Sequence, residues 1–370
     1  MSFRNFLIRL AASTLYVLRR QTLRSGSTHM VVFTGTSGKT LARTAASYAL
    51  TKAGKTVVSP PYGYTNELGI VLAALGIKRS VRLHSPTDLY HILTARPIKD
   101  SYVLIEIGAD WRTDTLWLTK RFVLRGVCIA DIACAEWVRS HAEIISDKKK
   151  LAGALTPDGF VCWNSTNPST RELAVAIPSG TAFAATAHEK TINYASFDFA
   201  VSVPPAIYAS AIGLATECLC SLGLCDALTN DYFLAYTPPS DRFSITTLPK
   251  GAALITDTYK SVPHCMERVL SFALSIPAKR RVAIVTPMHP VVLNTEQHYQ
   301  KMGSLLSSFE TVYLAGFTPL LVERLGLTKE YTQIEPLDLA RILNLEDATG
   351  SVIVVKAAGR YGLEPLALRT

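Results

Sequence analysis

The sequence predicts an α/β protein in two parts, each with a mostly parallel sheet. From Met30 onward, short β-rich runs alternate with helical patterns, which is typical of a parallel sheet covered by helices. The apolar run 31–34 leads straight into a glycine-rich turn, and the proline-containing run 236–242 interrupts the alternation. We therefore expect three segments along the chain, with the bounds 1–29, 30–238 and 239–370.

The composition is that of a globular protein. With 370 residues and 48% apolar side chains, the chain is long enough to bury two cores, which excludes a disordered protein. The 7 cysteines are odd in number and include no C-x-x-C pair, so we expect reduced thiols in a cytoplasmic protein and no disulfide framework or zinc site. They are Cys128, Cys134, Cys162, Cys218, Cys220, Cys225 and Cys265.

The net charge of +9 is concentrated in the first segment, where arginines occur without any acidic residue. The rest of the chain is only mildly basic, which suits small anionic substrates. No motif that reads DNA or RNA accompanies the charge, so we expect no nucleic-acid partner. The arginines of the first segment are Arg4, Arg9, Arg19, Arg20 and Arg24.

Segment 1–29 is predicted to form a basic amphipathic helix. One interpretation is a helix that lies on an anionic membrane surface through residues 1–24, at the inner side of the cell membrane. The other is a helix that docks on its own domain, and the sequence does not separate the two. The apolar face consists of Phe3, Phe6, Leu7, Leu10, Val17 and Leu18.

The elements of the two larger segments follow from the alternation. In 30–238 the predicted strands are 31–34, 56–59, 102–107 and 127–131, and the predicted helices are 66–75, 86–95, 141–155, 206–222 and one after Gly38. In 239–370 the predicted strands are 253–256, 281–285, 311–314 and 352–355, and helices start at Pro263, Thr295, Thr318 and Asp338. The apolar helix 206–222 is shorter than a tilted membrane span needs, so we expect it to be buried.

The turn after the first strand has the chemistry of a phosphate site. Gly35 and Gly38 let backbone N–H groups point inward, while Lys39 and Thr40 supply an ammonium and a magnesium-binding hydroxyl at the start of a helix. Phe33 stands where the longer and commoner nucleotide loop has a glycine, so this is a shorter G-T-x-G-K-T form. The predicted ATP-binding residues here are Gly35, Thr36, Ser37, Gly38, Lys39 and Thr40.

This loop resembles that of the Mur ligases, ATP-dependent enzymes that join an amino acid or peptide to a carboxylate. Four further stretches match that family in the right order, most like the members that add D-alanyl-D-alanine to a muramoyl tripeptide. The resemblance implies a central P-loop-type ATPase domain at 30–238 and a smaller Rossmann-like domain at 239–370. Segment 1–29 stands where the family has its UDP-sugar-binding domain.

Two of the matching stretches lie in the central segment. Thr65, Asn66 and Glu67 resemble a family segment at a helix start, which implies a substrate contact, although this trio is also ordinary capping chemistry. In the family, the acid corresponding to Glu106 at the end of a buried strand helps to hold magnesium. We carry that role to Glu106, and Asp110 is a weaker candidate.

The stretch 131–155 resembles a family segment that bears a histidine metal ligand and a carbamylated lysine. The alignment puts Lys148 at the lysine position, where a carbamate formed from CO₂ could bind a second Mg²⁺. Lys149 and Lys150 leave the register open, and a solvated basic patch is the alternative. Glu136 occupies the histidine position, and His141 is the other candidate ligand.

The last segment carries the remaining matches. Arg242, after Asp241, and the turn ITDTYKSVP with Asp257 and Tyr259 resemble the family's nucleotide-binding residues, but Lys260 and Val262 replace asparagines that help bind the nucleotide. In the final stretch VVKAAGRY, the resemblance makes Lys356 and Arg360 candidate contacts for a substrate carboxylate. Asp257 could also be a turn former, and Lys356 a strand-end lysine that reaches solvent.

These features predict an ATP-dependent carboxylate-amine ligase that works through an acyl phosphate. Its expected cofactors are ATP and two Mg²⁺ ions, and its expected partners are a small-molecule acid, such as a cell-wall peptide precursor, and an amine. We expect a monomer in the cytoplasm. The alternatives are an ATP-binding, membrane-associated scaffold that has lost turnover, which the missing asparagines and the substituted histidine favour, and a P-loop kinase.

Overall fold

A computed structural model of the chain describes most of the sequence. The described residues are 3–25, 28–60, 66–78, 81, 85–108, 112–132, 141–166, 170, 172–239, 242–288, 295–361 and 363. They form two units, of which the first ends at Tyr236 and the second begins at Thr237.

The first unit contains nine strands and eight helices among its described residues. The helices are α1 (Phe3–Ser25), α2 (Lys39–Lys52), α3 (Glu67–Ala74), α4 (Pro86–Thr94), α5 (Arg112–Thr119), α6 (His141–Ala152), α7 (Leu173–Ala176) and α8 (Pro205–Ser221). The strands are β1 (Thr28–Thr34), β2 (Val57–Val58), β3 (Ser101–Ile107), β4 (Leu124–Ile129), β5 (Leu155–Asn164), β6 (Thr181–Phe183), β7 (Ala185–Ala187), β8 (Thr191–Tyr194) and β9 (Phe197–Ala200).

The second unit repeats the alternation of strands and helices. Its strands are β10 (Ser244–Thr247), β11 (Ala253–Asp257), β12 (Arg280–Val285), β13 (Thr311–Ala315), β14 (Thr332–Ile334) and β15 (Ser351–Lys356). Its helices are α9 (Pro263–Ser275), α10 (Thr295–Leu306), α11 (Pro319–Leu325) and α12 (Leu339–Glu346).

Both units are built on a six-stranded sheet. The first sheet has the order β2-β3-β1-β4-β5-β6 with all pairs parallel, and β7-β8-β9 form a small antiparallel sheet beside it. The second has the order β10-β11-β15-β12-β13-β14, in which only the β10–β11 pair of the described strands is antiparallel. The predicted fold class, α/β with mostly parallel sheets, is therefore confirmed.

The strand order of the first sheet determines where a ligand can bind. The chain passes from β1 to one side of the sheet and later returns to its other side, so that β1 lies between β3 and β4. Ligands of such sheets bind outside the carboxyl ends of the strands where the order reverses. The segments that follow β1, β3 and β4 therefore meet at one edge of the sheet.

Helix α1 packs on the rest of the first unit. Ala12, Leu15 and Tyr16 are buried, and the Tyr16 hydroxyl donates to the Arg121 carbonyl at 2.8 Å. Trp117 of α5 donates through its indole N–H to the Ser13 hydroxyl at 3.0 Å. The interpretation as a docked helix therefore holds for this face. Among the described helices, none is long and apolar enough to cross a membrane.

Three features of the first unit depart from the sequence-based expectations, and the first is that the short helices α5 and α7 were not predicted. Strands β5 to β9 were not predicted, because β5 contains Pro157 and Gly159 and the four strands after it are very short. Cys220 and Cys225 form a disulfide, so the expectation that every cysteine is reduced is wrong for these two. They lie five residues apart, where α8 turns back at its end, and a spacing rule limited to C-x-x-C missed them.

Candidate functional site

The glycine turn after β1 is held in a conformation that only glycine adopts without strain. Gly35 has φ +136°, and a Cβ there would lie 2.7 Å from the Asp131 carbonyl oxygen. Gly38 has φ +77° and is the residue before α2, where it supplies no side-chain cap. The N–H groups at a helix start, together with the helix dipole, favour an anion.

Asp131, which follows β4, stabilises the turn by accepting hydrogen bonds from it. The Thr36 N–H and hydroxyl both donate to the Asp131 carbonyl, at 2.7 and 3.0 Å, and the Ser37 hydroxyl donates to the Asp131 carboxylate at 3.1 Å. Because the Thr36 N–H is used in this way, it supports the loop and is not aimed at a phosphate. The loop is therefore preorganised before any ligand arrives.

Lys39 folds back over the turn. Its Nζ donates to the Gly35 carbonyl at 2.7 Å, while its side chain remains half-buried. An ammonium held at this turn adds a positive charge beside the N–H groups at the start of α2. The structure thus brings the predicted loop residues 35–40 together in one turn whose chemistry suits an anion.

Thr40 connects the loop to the end of β3. Its hydroxyl donates to Glu106 Oε2 at 2.9 Å, and the register pairs Glu106 with Phe33 of β1. The other carboxylate oxygen of Glu106 accepts from Arg43 Nε at 2.7 Å. The buried carboxylate of Glu106 is therefore paired with a guanidinium, as a charge inside an apolar strand must be.

The donor set at this point suits Mg²⁺. The ion usually takes one or two oxygen ligands from the protein and the rest from phosphate and water. Thr40 Oγ1 and Glu106 Oε2 are two such oxygens 2.9 Å apart, directly beside the loop. No group of three or more His, Cys, Asp or Glu side chains within the described ranges is arranged to hold a metal on its own.

Lys148 lies below the loop and is completely buried. Its Nζ donates to the Thr34 hydroxyl at 2.6 Å, at the last residue of β1. Lys149 and Lys150, which follow it on α6, are exposed. Burial therefore separates the three lysines and favours Lys148 as the one that belongs to this edge of the sheet.

The second unit has its own buried ion pair at the carboxyl ends of its strands. Asp257 and Lys356 are register partners on β11 and β15, and Lys356 Nζ lies 3.0 Å from Asp257 Oδ2. The same ammonium donates to the Asp257 and Lys260 carbonyls. Lys356 is 0% exposed, so it does not reach solvent as a strand-end lysine would.

Arg242 and Tyr259 form a stacked pair in the second unit. The Arg242 guanidinium carbon lies 3.5 Å from the centroid of the Tyr259 ring, and the ring is 43% exposed. Such a stack fixes a guanidinium on an aromatic face. Two of the predicted nucleotide-binding residues are thus in direct contact.

Cys265 adds a buried titratable thiol near Lys356 in the second unit. Its Sγ lies 3.4 Å from His264 Nε2 in the first turn of α9. Burial raises the pKa of the Cys265 thiol, but His264, Arg268 and Lys356 together outweigh burial and lower this pKa to about 7.

The predicted substrate residues at the start of α3 have structural partners. The Asn66 side chain caps the helix by accepting from the Gly69 N–H at 2.9 Å. The Glu67 carboxylate lies 3.6 Å from Arg9 Nε on α1. Capping and ion pairing therefore account for both side chains, and their predicted contact with a substrate stays a prediction.

Several predicted residues cannot be placed in the site. Thr65, Asp110, Glu136 and Asp241 lie outside the described residues. His141 begins α6 and Arg360 lies in a short 3-10 helix, but their side chains are also outside the described part of the structure.

Two site residues were missed in the sequence. Arg43 lies one helical turn after Thr40, so the spacing i, i+3 within a glycine-loop helix could have identified it. Its Nη1 also donates to the Ser59 hydroxyl and to the Pro60 carbonyl. Asp131 was read as the end of a strand and the start of the stretch 131–155 and was given no role, although a polar residue at that position faces the same sheet edge.

Comparison with known proteins shows the class of fold. The chain has the fold of the Mur ligases, which confirms the predicted resemblance at the level of structure. The MurF ligase from Thermotoga maritima, solved in complex with ADP, matches with a TM-score of 0.75 and 17% identity over 97% of this chain and 82% of that chain.

Two further solved structures show how far the likeness extends. MurF from Acinetobacter baumannii matches with a TM-score of 0.74 and 16% identity over 98% of this chain and 80% of that chain. The apo form of L. casei FPGS matches with a TM-score of 0.62 and 15% identity over 97% and 93% of the two chains. Comparison of the sequence with protein-family models and with curated proteins finds no match.

Proposed function

We propose that the protein is an ATP-dependent carboxylate-amine ligase that forms an amide bond through an acyl phosphate. The observation that carries the proposal is the short glycine loop whose Thr40 hydroxyl is bonded to Glu106 at the carboxyl edge of a parallel sheet. The likeness in fold to a MurF ligase solved with ADP supports a nucleotide as the ligand of this loop.

The reaction consists of two displacements. An oxygen of the substrate carboxylate attacks the γ-phosphorus of ATP, and the bond to the bridging oxygen breaks, which gives an acyl phosphate and ADP. The amine then attacks the acyl carbon, loses a proton and displaces inorganic phosphate. In such phosphoryl transfer the protein mainly positions groups and neutralises charge, which suits Lys39 and the N–H groups at the start of α2.

Thr40 and Glu106 would hold one Mg²⁺ beside the phosphates. Bound there, the ion would neutralise phosphate charge. Arg43 engages one oxygen of Glu106 and leaves Oε2 turned toward Thr40. Arg43 would therefore orient the Glu106 carboxylate so that only Oε2 is available as a ligand for the Mg²⁺.

Lys148 is our candidate for a carbamate that would hold a second Mg²⁺. A carbamate forms when a neutral amine attacks CO₂, the new N–C bond closes and the nitrogen loses a proton. Burial supports this role, since an ammonium taken out of water is costly and an anionic product could bind a cation. Glu136 or His141 would complete that second site.

The two larger segments would each supply part of the nucleotide contacts. We assign nucleotide phosphates to 30–238, and the remaining nucleotide contacts to Arg242, Asp257 and Tyr259 of 239–370. Because Lys356 is fully buried against Asp257, we assign it to holding that carboxylate, and leave Arg360 as the candidate for a substrate carboxylate. The enzyme would act in the cytoplasm as a monomer on a cell-wall peptide precursor or a related acid.

The test is ADP release by the full chain with ATP, MgCl₂, bicarbonate and pools of carboxylic acids and amines. We expect release that requires both an acid and an amine and that Lys39→Ala abolishes. Lys190→Ala, a change at an exposed lysine, is the matched control and keeps full activity.

Two results would replace the proposal with an alternative. Nucleotide binding without ADP release under any substrate pool would indicate a scaffold. ADP release without an amine, with a stable phosphorylated product, would indicate a kinase.

A further inference from the structure

Helix α1 carries a second apolar face that its docking leaves open. The face that packs on the first unit contains Ala12, Leu15 and Tyr16. On the other side of the helix, four apolar side chains are 47% to 69% exposed, and we call them the outer stripe. The outer stripe consists of Leu7, Leu10, Val17 and Leu18.

The spacing of the outer stripe places its members on one side of the helix. Leu7, Leu10, Val17 and Leu18 follow each other at three, seven and one residues, which keeps them on one side at 3.6 residues per turn. Exposed Thr14 lies among them. Single exposed leucines are ordinary on a protein surface, but an ordered row on one helix indicates a surface that contacts another apolar phase.

The charge of α1 identifies the kind of partner. Every charged residue of the helix is an arginine. Arg9 lies 3.6 Å from Glu67, and Arg19 donates to the Leu93 and Ala95 carbonyls, so these two help to dock the helix. Arg20 is exposed. An apolar row accompanied by arginine alone matches the edge of an anionic bilayer, where leucines enter the boundary of the acyl chains and arginines meet phosphates.

We propose that the outer stripe of α1 rests on an anionic lipid bilayer and holds the first unit at the membrane surface. The helix lies in the plane of the headgroups, with its inner face fixed to the protein and its outer face in the lipid. This goes beyond the ligase reaction, which needs no membrane. A second copy of the chain is a poorer partner, because a twofold pair through this face would bring arginine-bearing helices together.

The test is co-sedimentation of the full chain with vesicles of phosphatidylglycerol and phosphatidylcholine, compared with vesicles of phosphatidylcholine alone. We expect binding to the anionic vesicles, and a loss of about tenfold or more in partitioning for Leu10→Glu combined with Leu18→Glu. Leu337→Glu combined with Leu345→Glu is the matched control, since both side chains are at least as exposed and belong to the second unit. Its partitioning should equal that of the wild type.

A second variant and a mass measurement complete the test. Arg20→Gln should weaken binding a few-fold on anionic vesicles only, and more so at low salt. Wild-type protein that does not bind anionic vesicles, or an outer-stripe variant that binds them like the wild type, would overturn the proposal. A dimer by light scattering that the outer-stripe variant converts to a monomer would also overturn it, in favour of a contact between copies. Unchanged circular dichroism shows that each variant is folded.

Discussion

Each of the two six-stranded sheets has a buried acid paired with a cation near the carboxyl ends of its strands, but the surroundings of the two ion pairs differ. In the first sheet the acid is Glu106, its cation Arg43 comes from the helix after the glycine turn, and its second oxygen is bonded to Thr40. In the second sheet Asp257 and Lys356 lie side by side on neighbouring strands. The first pair is tied to a loop that can hold phosphate, whereas the second joins strand to strand.

This difference shows that an acid at the end of a parallel strand does not by itself make a reaction site. Both acids satisfy the same positional rule for ligand sites in α/β sheets. Only Glu106 lies within hydrogen-bond distance of a helix start that follows a glycine turn. We therefore expect changes near Glu106 to affect phosphate binding at the glycine turn, and the loss of Lys356, which holds Asp257, to affect mainly the stability of the second unit.

The largest effect on ligand binding should come from Gly35→Ala. The new Cβ would meet the Asp131 carbonyl at 2.7 Å with φ at +136°, so the turn must move. We expect ATP affinity by calorimetry to fall about a hundredfold, equal to about 2.7 kcal/mol. Gly54→Ala is the control, because φ there is +74° but nothing lies within 4 Å of the new Cβ. It should cost about 1 kcal/mol of stability and leave the affinity intact. Equal affinities in both variants would separate the turn from nucleotide binding.

Arg43→Met should destabilise the first unit by about 3 kcal/mol, measured by urea unfolding. The change leaves the Glu106 carboxylate, whose side chain is 9% exposed, without its guanidinium. Adding Glu106→Gln removes the orphaned charge and should restore most of the lost stability. A double variant no more stable than Arg43→Met would show that the pair is not the cause.

Lys356→Met should cost less, about 2 kcal/mol in the same assay. Asp257 is also buried, but its side chain is 13% exposed and can take up water when the ammonium is gone. We expect ATP-binding heats at the glycine loop to change little. A loss of unfolding free energy larger than that of Arg43→Met would contradict this ranking of the two ion pairs.

Alkylation of Cys265 should depend on pH in a way that reports the charges around it. The thiol has a pKa of about 7, so its thiolate fraction, and with it the rate with iodoacetamide, should rise through pH 7 and then level off. His264→Ala removes a lowering influence and should reduce the rate at pH 7 by about tenfold, because the pKa then rises. Mass spectrometry assigns the labelled residue. A rise only near pH 9, the ordinary range of a thiol, would contradict the lowered pKa.

The smallest effect should come from Tyr16→Phe, which removes the hydrogen bond to the Arg121 carbonyl but keeps the ring. We expect a loss of about 1 kcal/mol in the unfolding free energy of the first unit. Tyr90→Phe, at a tyrosine that is 67% exposed, should change it by less than about 0.5 kcal/mol. Indistinguishable variants would mean that α1 docks without help from this bond.

Much of the fold could be predicted from the sequence because its signals are local. Each predicted strand and helix corresponds to an observed one to within a few residues, as with β1 and α2 on either side of the glycine turn. The sequence did not predict β5 to β10, β14, α5 and α7. Elements this short, or interrupted by proline and glycine as β5 is, carry no periodic pattern. The disulfide escaped because the meeting of two cysteines at a helix end depends on the turn and not on composition.

The candidate site residues could be predicted only where they belong to one short sequence motif or stand out within a single strand. The loop, Lys39 and Thr40 lie in one run, and a strand-end acid identified Glu106. The hydrogen bonds from the glycine turn to Asp131 and the pairing of Asp257 with Lys356 depend on the register of strands that are far apart in sequence. No local pattern encodes that register. The roles of Lys148 and Arg360 in catalysis stay predictions.

The most direct test of the central claim is isothermal titration calorimetry of the full chain with magnesium-ATP. If the turn at 35–40 is the nucleotide site, the wild type will give saturable heat at one nucleotide per chain. Lys39→Ala will then give none over the same range. A wild-type chain that takes up no nucleotide, or a Lys39→Ala chain that titrates like the wild type, would contradict the account.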